Sequence, residues 1–232
     1  MPHVLSVEHL IVAHDGHTVL DDLSLRVGAG RVHGIAGEPG AGKTTLLDAI
    51  FGFVPAEQGV VTFDDTPLRP EDVGYLPTDL YFYPGITGRD YLRTICMNST
   101  NGDVLRYTAE VLARLTGRDG ESQAAFRTFD IDGWARLFDV SLDAAADGSA
   151  ADVQRKLGIL GVLALARPVM LLDEPTAELD SATSQLLGRL LRLLADRGRT
   201  VVVTSRSLTA LNVMCDVVHV LADGRIQAGP SA

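Results

Sequence analysis

The stretch "GEPGAGKTT", residues 37–45, satisfies G-x-x-x-x-G-K-[ST] in full. Its context is the one the motif demands. Residues 32–36 read as a short strand running into the turn, and about 44–53 as a helix running out. Gly37, Gly40 and Gly42 let the backbone curl so that successive N–H groups face phosphate oxygens. The N-terminus of the following helix adds a partial positive charge. Lys43 is placed to reach β- and γ-phosphates, and the Thr44 hydroxyl to ligate Mg²⁺. Glu38, Pro39, Ala41 and Thr45 complete the nucleotide-binding stretch. Only two lysines occur in the chain, Lys43 and Lys156. At position 43 the compact ammonium is needed, because a planar guanidinium cannot follow the same narrow path.

Working outward, residues 4–12, 19–27, 60–63 and 73–76 read as further strands. From 79 to 150 strand signals vanish, and helical stretches such as "GRDYLRTIC" and "VLRYTAEVLARL" stand between polar breaks. This segment reads as an inserted helical subdomain, with 1–78 and 151–232 forming one α/β core around it. After 153 the pattern alternates: helix 153–165, strand 169–172, helix 182–196, strand 200–204, helix 208–215, strand 217–221. Such alternation predicts a mostly parallel sheet with helical crossovers, and ligands in such sheets sit at the carboxyl ends of the strands.

Two strand ends carry charge. "VMLLDEPT", residues 169–176, is an apolar strand ending in two carboxylates. Asp173 suits the Mg²⁺ shell, and Glu174 suits a base that polarises attacking water. A helix-capping acidic pair is the structural alternative. "TVVVTSRSL", residues 200–208, runs apolar to Thr204 and then meets Arg206, a permanent charge that needs a partner at that edge.

Composition limits the rest. At 232 residues and 46% hydrophobic, the chain is long enough for one well-packed domain. A net charge of −10 argues against nucleic acid as a partner. Cys96 and Cys215 give neither a disulfide framework nor metal spacing, so reduced thiols and a cytoplasmic location are expected. The opening "MPHVLSVEHL" has no signal-peptide pattern. The longest apolar run, 157–166, is too short to span a bilayer.

Together these stretches resemble the ATP-binding cassette family, specifically the nucleotide-binding subunit of an ABC transporter. "VEHLIVAHDGHTVLDDLSLRV" is similar to the family's opening strands, with His14 where an adenine-stacking aromatic sits. "GEPGAGKTT" resembles the Walker A loop, "VGYLPTDLYFYPGITGRDYL" the segment around the Q-loop, and "LLDEPT" the Walker B strand with its catalytic glutamate. "AELD" is similar to the D-loop, "GRTVVVTSRSL" to the strand before the switch histidine, and "VVHVLADGRIQAGP" to the closing hairpin. The resemblance covers nearly the whole chain. It implies a P-loop NTPase core, an N-terminal antiparallel β subdomain and the inserted helical one. It also implies ATP and Mg²⁺ as cofactors, docking on a transmembrane subunit at the inner face of the membrane, and pairing with a second nucleotide-binding domain as homo- or heterodimer.

Three positions depart from the family pattern. Thr78 stands at the Q-loop glutamine, shorter and neutral. The signature Leu-Ser-Gly-Gly-Gln is lost in either register: Ala150-Ala151-Asp152-Val153, or Ser149-Ala150-Ala151-Asp152. Arg206 stands at the switch histidine, so it is expected to face the γ-phosphate, to pair with Glu174, or to swing to a surface carboxylate. Two functions follow from the resemblance. One is a slow ATPase subunit of a transporter, export preferred over import. The other is a degenerate module that holds ATP and gates a membrane complex with little hydrolysis. The aromatics Tyr81, Phe82 and Tyr83 either dock the membrane subunit or fill the subdomain core. His14 either stacks on adenine or is a surface histidine.

Overall fold

The computed structural model describes residues 3–98, 102–117 and 129–227, with the backbone alone for 102–107. Strands β1 (Val4–His14) and β2 (His17–Gly28) form a long antiparallel hairpin. Both outrun the expected 4–12 and 19–27. Asp15 and Gly16 take φ of 49° and 78°, the two left-handed residues of a tight hairpin turn, so the ladder continues to His14 opposite His17. Strand β3 (Val32–Ala36) leads into helix α1 (Lys43–Phe51), which stops at the left-handed Gly52. Strands β4 (Gln58–Phe63) and β5 (Thr66–Pro67) complete a four-stranded antiparallel sheet of order β2-β1-β4-β5.

Next come β6 (Val73–Leu76), α2 (Gly88–Met97), α3 (Gly102–Leu115) and α4 (Ile131–Leu137). The chain then runs through α5 (Ala151–Leu165), β7 (Val169–Leu172), α6 (Ser181–Ala195), β8 (Thr200–Ser205) and α7 (Leu208–Met214). It ends on the antiparallel pair β9 (Val217–Ala222) and β10 (Arg225–Gln227). The second sheet has the order β10-β9-β3-β8-β7-β6, parallel throughout except at β10.

Side chains alternate across this sheet, as the two-residue period of a strand requires. Val169, Leu171 and Val202 join β1, β2 and α1 in one core. Met170, Leu172, Val201 and Val203 join α5, α6 and the helical segment in the other. Gly161 lets α2 lie close on α5: a Cβ there would stand 2.6 Å from the Tyr91 hydroxyl oxygen. In the helical segment, Trp134 is fully buried and stacks on Phe129 with ring centroids 6.0 Å apart.

Register positions the site. Ala36 pairs with Ser205, and Leu172 pairs with both Leu76 and Val203. Residues 37, 77, 173 and 206 therefore leave four strands on one edge of one sheet. Helix α5 starts at Ala151, two residues before the expected 153, so the stretch 151–153 is its first turn. Asp152 lies in that turn, where an acidic side chain suits the helix dipole.

Candidate functional site

The phosphate loop closes on itself through its lysine. Lys43 is buried, and its Nζ donates to the carbonyls of Gly37 at 2.7 Å and Glu38 at 3.2 Å. Gly42 takes φ of 98°, and a Cβ there would meet Leu20 Cδ2 at 2.9 Å, so only glycine serves before α1. Above the loop lies a groove of about 760 Å³, walled by residues 37–41, Thr18, Val19, Arg206 and the β9–β10 hairpin. The ammonium rests on carbonyls that a phosphate oxygen would replace as its partner.

Asp173 is the hub of the site and is wholly buried. Its Oδ2 accepts from the hydroxyls of Thr44 at 2.7 Å and Thr78 at 2.6 Å, and its Oδ1 accepts from the hydroxyl of Thr204. Three threonines, from α1, from the loop after β6 and from β8, thus satisfy one carboxylate that would be costly to bury alone. The donor set fits Mg²⁺. Thr44 gives its proton to Asp173, which leaves its oxygen lone pairs free for a hard cation, and the carboxylate would supply the negative charge that such a cation needs.

Glu174 follows in the left-handed region, at φ of 46°. Such a conformation is costly for a residue with a Cβ and gathers at functional sites. Its N–H donates to Thr204 Oγ1 at 3.0 Å. Its Oε1 lies 3.6 Å from Arg206 Nε and 3.9 Å from Lys43 Nζ. Of the three partners expected for Arg206, the structure shows Glu174. The guanidinium side chain is 65% exposed and borders the groove, so it is free to turn.

Thr78 reaches Asp173 directly, and its segment is pinned from the far side. Buried Arg155 donates from Nη1 to Pro77 O at 2.9 Å and from Nη2 to Thr78 O at 2.5 Å. Burial pulls the Arg155 pKa down, while Asp173, Asp79, Glu178 and Glu174 push the other way. Arg155 and Thr204 escaped the sequence reading. The signals were faint: a hydroxyl at the end of a valine run, and one arginine among many.

The remaining candidates divide. His14 is exposed, lies 3.5 Å from Asp15 and is not among the groove-lining residues, whose wall on that side is Thr18 and Val19. Tyr81 and Tyr83 are 77% and 74% exposed and meet edge to face at 5.9 Å. Phe82 turns inward, 5% exposed, and packs on Tyr91 at 5.0 Å. The three aromatics therefore do not form one surface: Phe82 fills the core, as strand-like alternation in an extended loop requires. Among the signature-like residues, Asp152 pairs with Lys156, Nζ to Oδ2 at 3.4 Å.

A family model described as ABC transporter matches residues 20–177. The manganese transport system ATP-binding protein MntB of Listeria innocua is 29% identical over 97% of this chain and 90% of its own. The hemin import ATP-binding protein HmuV of Thermobifida fusca is 30% identical over 99% of this chain and 78% of its own. The ribose import ATP-binding protein RbsA of a Ruegeria species is 25% identical over 96% of this chain, which spans only 42% of that relative. Among solved structures, an ATP-binding subunit of an ABC transporter superposes with a TM-score of 0.79 at 21% identity, over 97% of this chain and 88% of that one. A dimeric bacterial ABC transporter cassette superposes with a TM-score of 0.73 at 19% identity, over 97% of each chain. Sequence match, fold and strand-end geometry agree, and the chain belongs to the ABC transporter family as one of its ATP-binding ATPase cassettes.

Proposed function

We propose that this chain, residues 1–232 with 79–150 as its helical arm, binds ATP with Mg²⁺ and hydrolyses it slowly to drive a transporter. One observation carries the reading: adjacent strand ends bring Lys43, Thr44, Asp173 and Glu174 together, Thr44 Oγ1 2.7 Å from Asp173 Oδ2 and Lys43 Nζ 3.9 Å from Glu174 Oε1. Residues 37–45 hold the phosphates, Thr44 and Asp173 hold Mg²⁺, and Glu174 polarises the water. Thr78 acts through Asp173, and Arg206 restrains Glu174.

The chain docks on a separate transmembrane subunit at the inner face of the membrane and pairs with a second cassette. Among the described residues no helix is long and apolar enough to cross a membrane. Exposed Tyr81 and Tyr83 supply the dock, since aromatic anchors are enriched at interfaces. Export remains the preferred direction, as read from the sequence; the relatives HmuV and RbsA are named for import, and an Atm1-family exporter is among the structural neighbours.

The second reading, a cassette that gates its complex with little turnover, draws on the contact between Arg206 and Glu174. Steady-state ATP hydrolysis, measured with and without the membrane subunit, separates the two. Turnover that rises with the partner supports the transporter ATPase. ATP binding without turnover in either state supports the gate. Absence of nucleotide binding overturns both.

A further inference from the structure

We propose that Thr204 is a positioning residue for ATP hydrolysis, aiming both acidic residues of the site through one hydroxyl. The inference rests on the roles proposed above for Asp173 and Glu174. It concerns a side chain wholly buried behind the two acidic residues.

Strand β8 reads Thr-Val-Val-Val-Thr-Ser and is buried at all six positions. Valine has the shape of threonine, so packing alone gives no reason for a hydroxyl at 204. A buried hydroxyl must find partners. Thr204 is wholly buried, gives its single proton to Asp173 Oδ1 and accepts the Glu174 N–H at 3.0 Å. One proton and one lone pair are thereby spent on the two adjacent acidic residues. The neighbouring Ser205 does not share the task, for its Oγ accepts from the Ser207 N–H at 3.1 Å.

Two consequences follow from the geometry. Glu174 stands at φ of 46°, and its N–H bond to Thr204 holds the peptide in that orientation. Because the Cβ direction follows φ, releasing that bond turns the carboxylate away from its position beside Lys43. Asp173 is anchored on both oxygens: Thr204 holds Oδ1 while Thr44 and Thr78 share Oδ2. Without Thr204 the carboxylate is free to rotate, and the Thr44 hydroxyl loses its fixed acceptor and with it the direction of its lone pairs. Thr204 acts with Thr78 here. Two short hydroxyls on one carboxylate stand where this chain lacks a long side chain at position 78.

The test compares Thr204→Val, Thr204→Ser and Thr204→Ala in the full chain. Turnover, KM for ATP, affinity for a fluorescent ATP analogue in EDTA, and melting temperature are measured. Removal of a residue that orients a metal-site ligand typically costs about 10–100-fold in activity. Thr204→Val is expected to lower kcat by that factor, with KM and the metal-free nucleotide affinity at parental values. Thr204→Ser, which keeps the hydroxyl, is expected to restore kcat. Parental kcat in folded Thr204→Val overturns the proposal, as does Thr204→Ser falling as far as Thr204→Val. If Thr204→Val does not fold, the contrast between Thr204→Ser and Thr204→Ala decides on the same terms. Lys43→Ala and Glu174→Gln run alongside. If Lys43→Ala keeps nucleotide binding and Glu174→Gln keeps turnover, the site assignment itself fails. If Lys43→Ala loses binding and Glu174→Gln loses turnover while Thr204→Val is parental, this inference alone fails.

Discussion

Arg206 Nε lies 3.6 Å from Glu174 Oε1, in a pair whose guanidinium side is largely in solvent and whose carboxylate side is nearly buried. A solvated pair of this kind is worth about 0–1 kcal/mol, so it steers Glu174 without locking it. When a phosphate enters, Arg206 has two anions to choose between, and a forked contact with phosphate is the stronger. Either choice stabilises the bound ground state over the transition state. Losing one well-aimed transition-state contact typically costs about 10²–10³ in rate. Arg206→His is therefore expected to raise turnover, up to about that order, and to weaken ATP affinity. Thr78 and the stretch 149–153 cap the gain. Steady-state hydrolysis with a parallel titration of ATP checks it. If Arg206→Ala leaves both quantities unchanged, Arg206 is a bystander.

Lys43 rests on the carbonyls of Gly37 and Glu38, and in the role proposed above it is the main cation of the loop. Lys43→Ala is expected to abolish ATP binding. Equilibrium binding of a fluorescent nucleotide is the check, and retained micromolar affinity would contradict the assignment. His14, exposed beside Asp15, is a contrasting control. Stacking on adenine would be worth about 1 kcal/mol by analogy with aromatic pairs, so His14→Ala is expected to shift affinity by severalfold at most.

The aromatic run at 81–83 yields opposite outcomes at adjacent residues. Tyr81→Glu and Tyr83→Glu alter exposed rings and are expected to release the membrane subunit while leaving the melting temperature unchanged. Phe82→Ala empties a buried site against Tyr91, at a cost of about 3–5 kcal/mol in stability. Co-purification with the partner and thermal melting of the isolated chain read the two effects separately.

His33 and His219, on the neighbouring strands β3 and β9, stack at 5.5 Å with His33 Nδ1 3.2 Å from His219 Nε2. Burial pushes the His33 pKa down to about 4, helped by His219 and Arg31. A backbone hydrogen bond at Gly28 and Asp216 act in the opposite sense. Burial also lowers His219. A histidine whose folded pKa lies below its unfolded 6.5 contributes stability above pH 6.5 and loses it as pH falls toward 4. Denaturant unfolding is expected to weaken across that window. His33→Leu should flatten the loss relative to the parent, and an unchanged slope would place the titration elsewhere.

Much of the core was legible because its signals are local. The loop 37–45 needs glycines and lysine at set spacing, and the alternation after 153 shows both periods of a parallel sheet. The hairpin turn Asp15-Gly16 was equally local, and its left-handed pair explains two strands longer than the bare pattern suggested. Helix α5 began early for the opposite reason, since Ala150 and Ala151 carry no boundary signal of their own.

The sequence by itself determined that a phosphate-loop motif and two strand-end carboxylates exist, because each depends on residue type beside a strand end. Tertiary structure alone decided what they touch. Register places Ala36 opposite Ser205 and Leu172 between Leu76 and Val203, and no local pattern encodes that. From it follow the three hydroxyls on Asp173, drawn from positions 44, 78 and 204, and the meeting of Arg206 with Glu174. Hydrogen bonds act over about 3 Å, so residues far apart in the chain acquire a common chemistry only once the sheet has set them side by side.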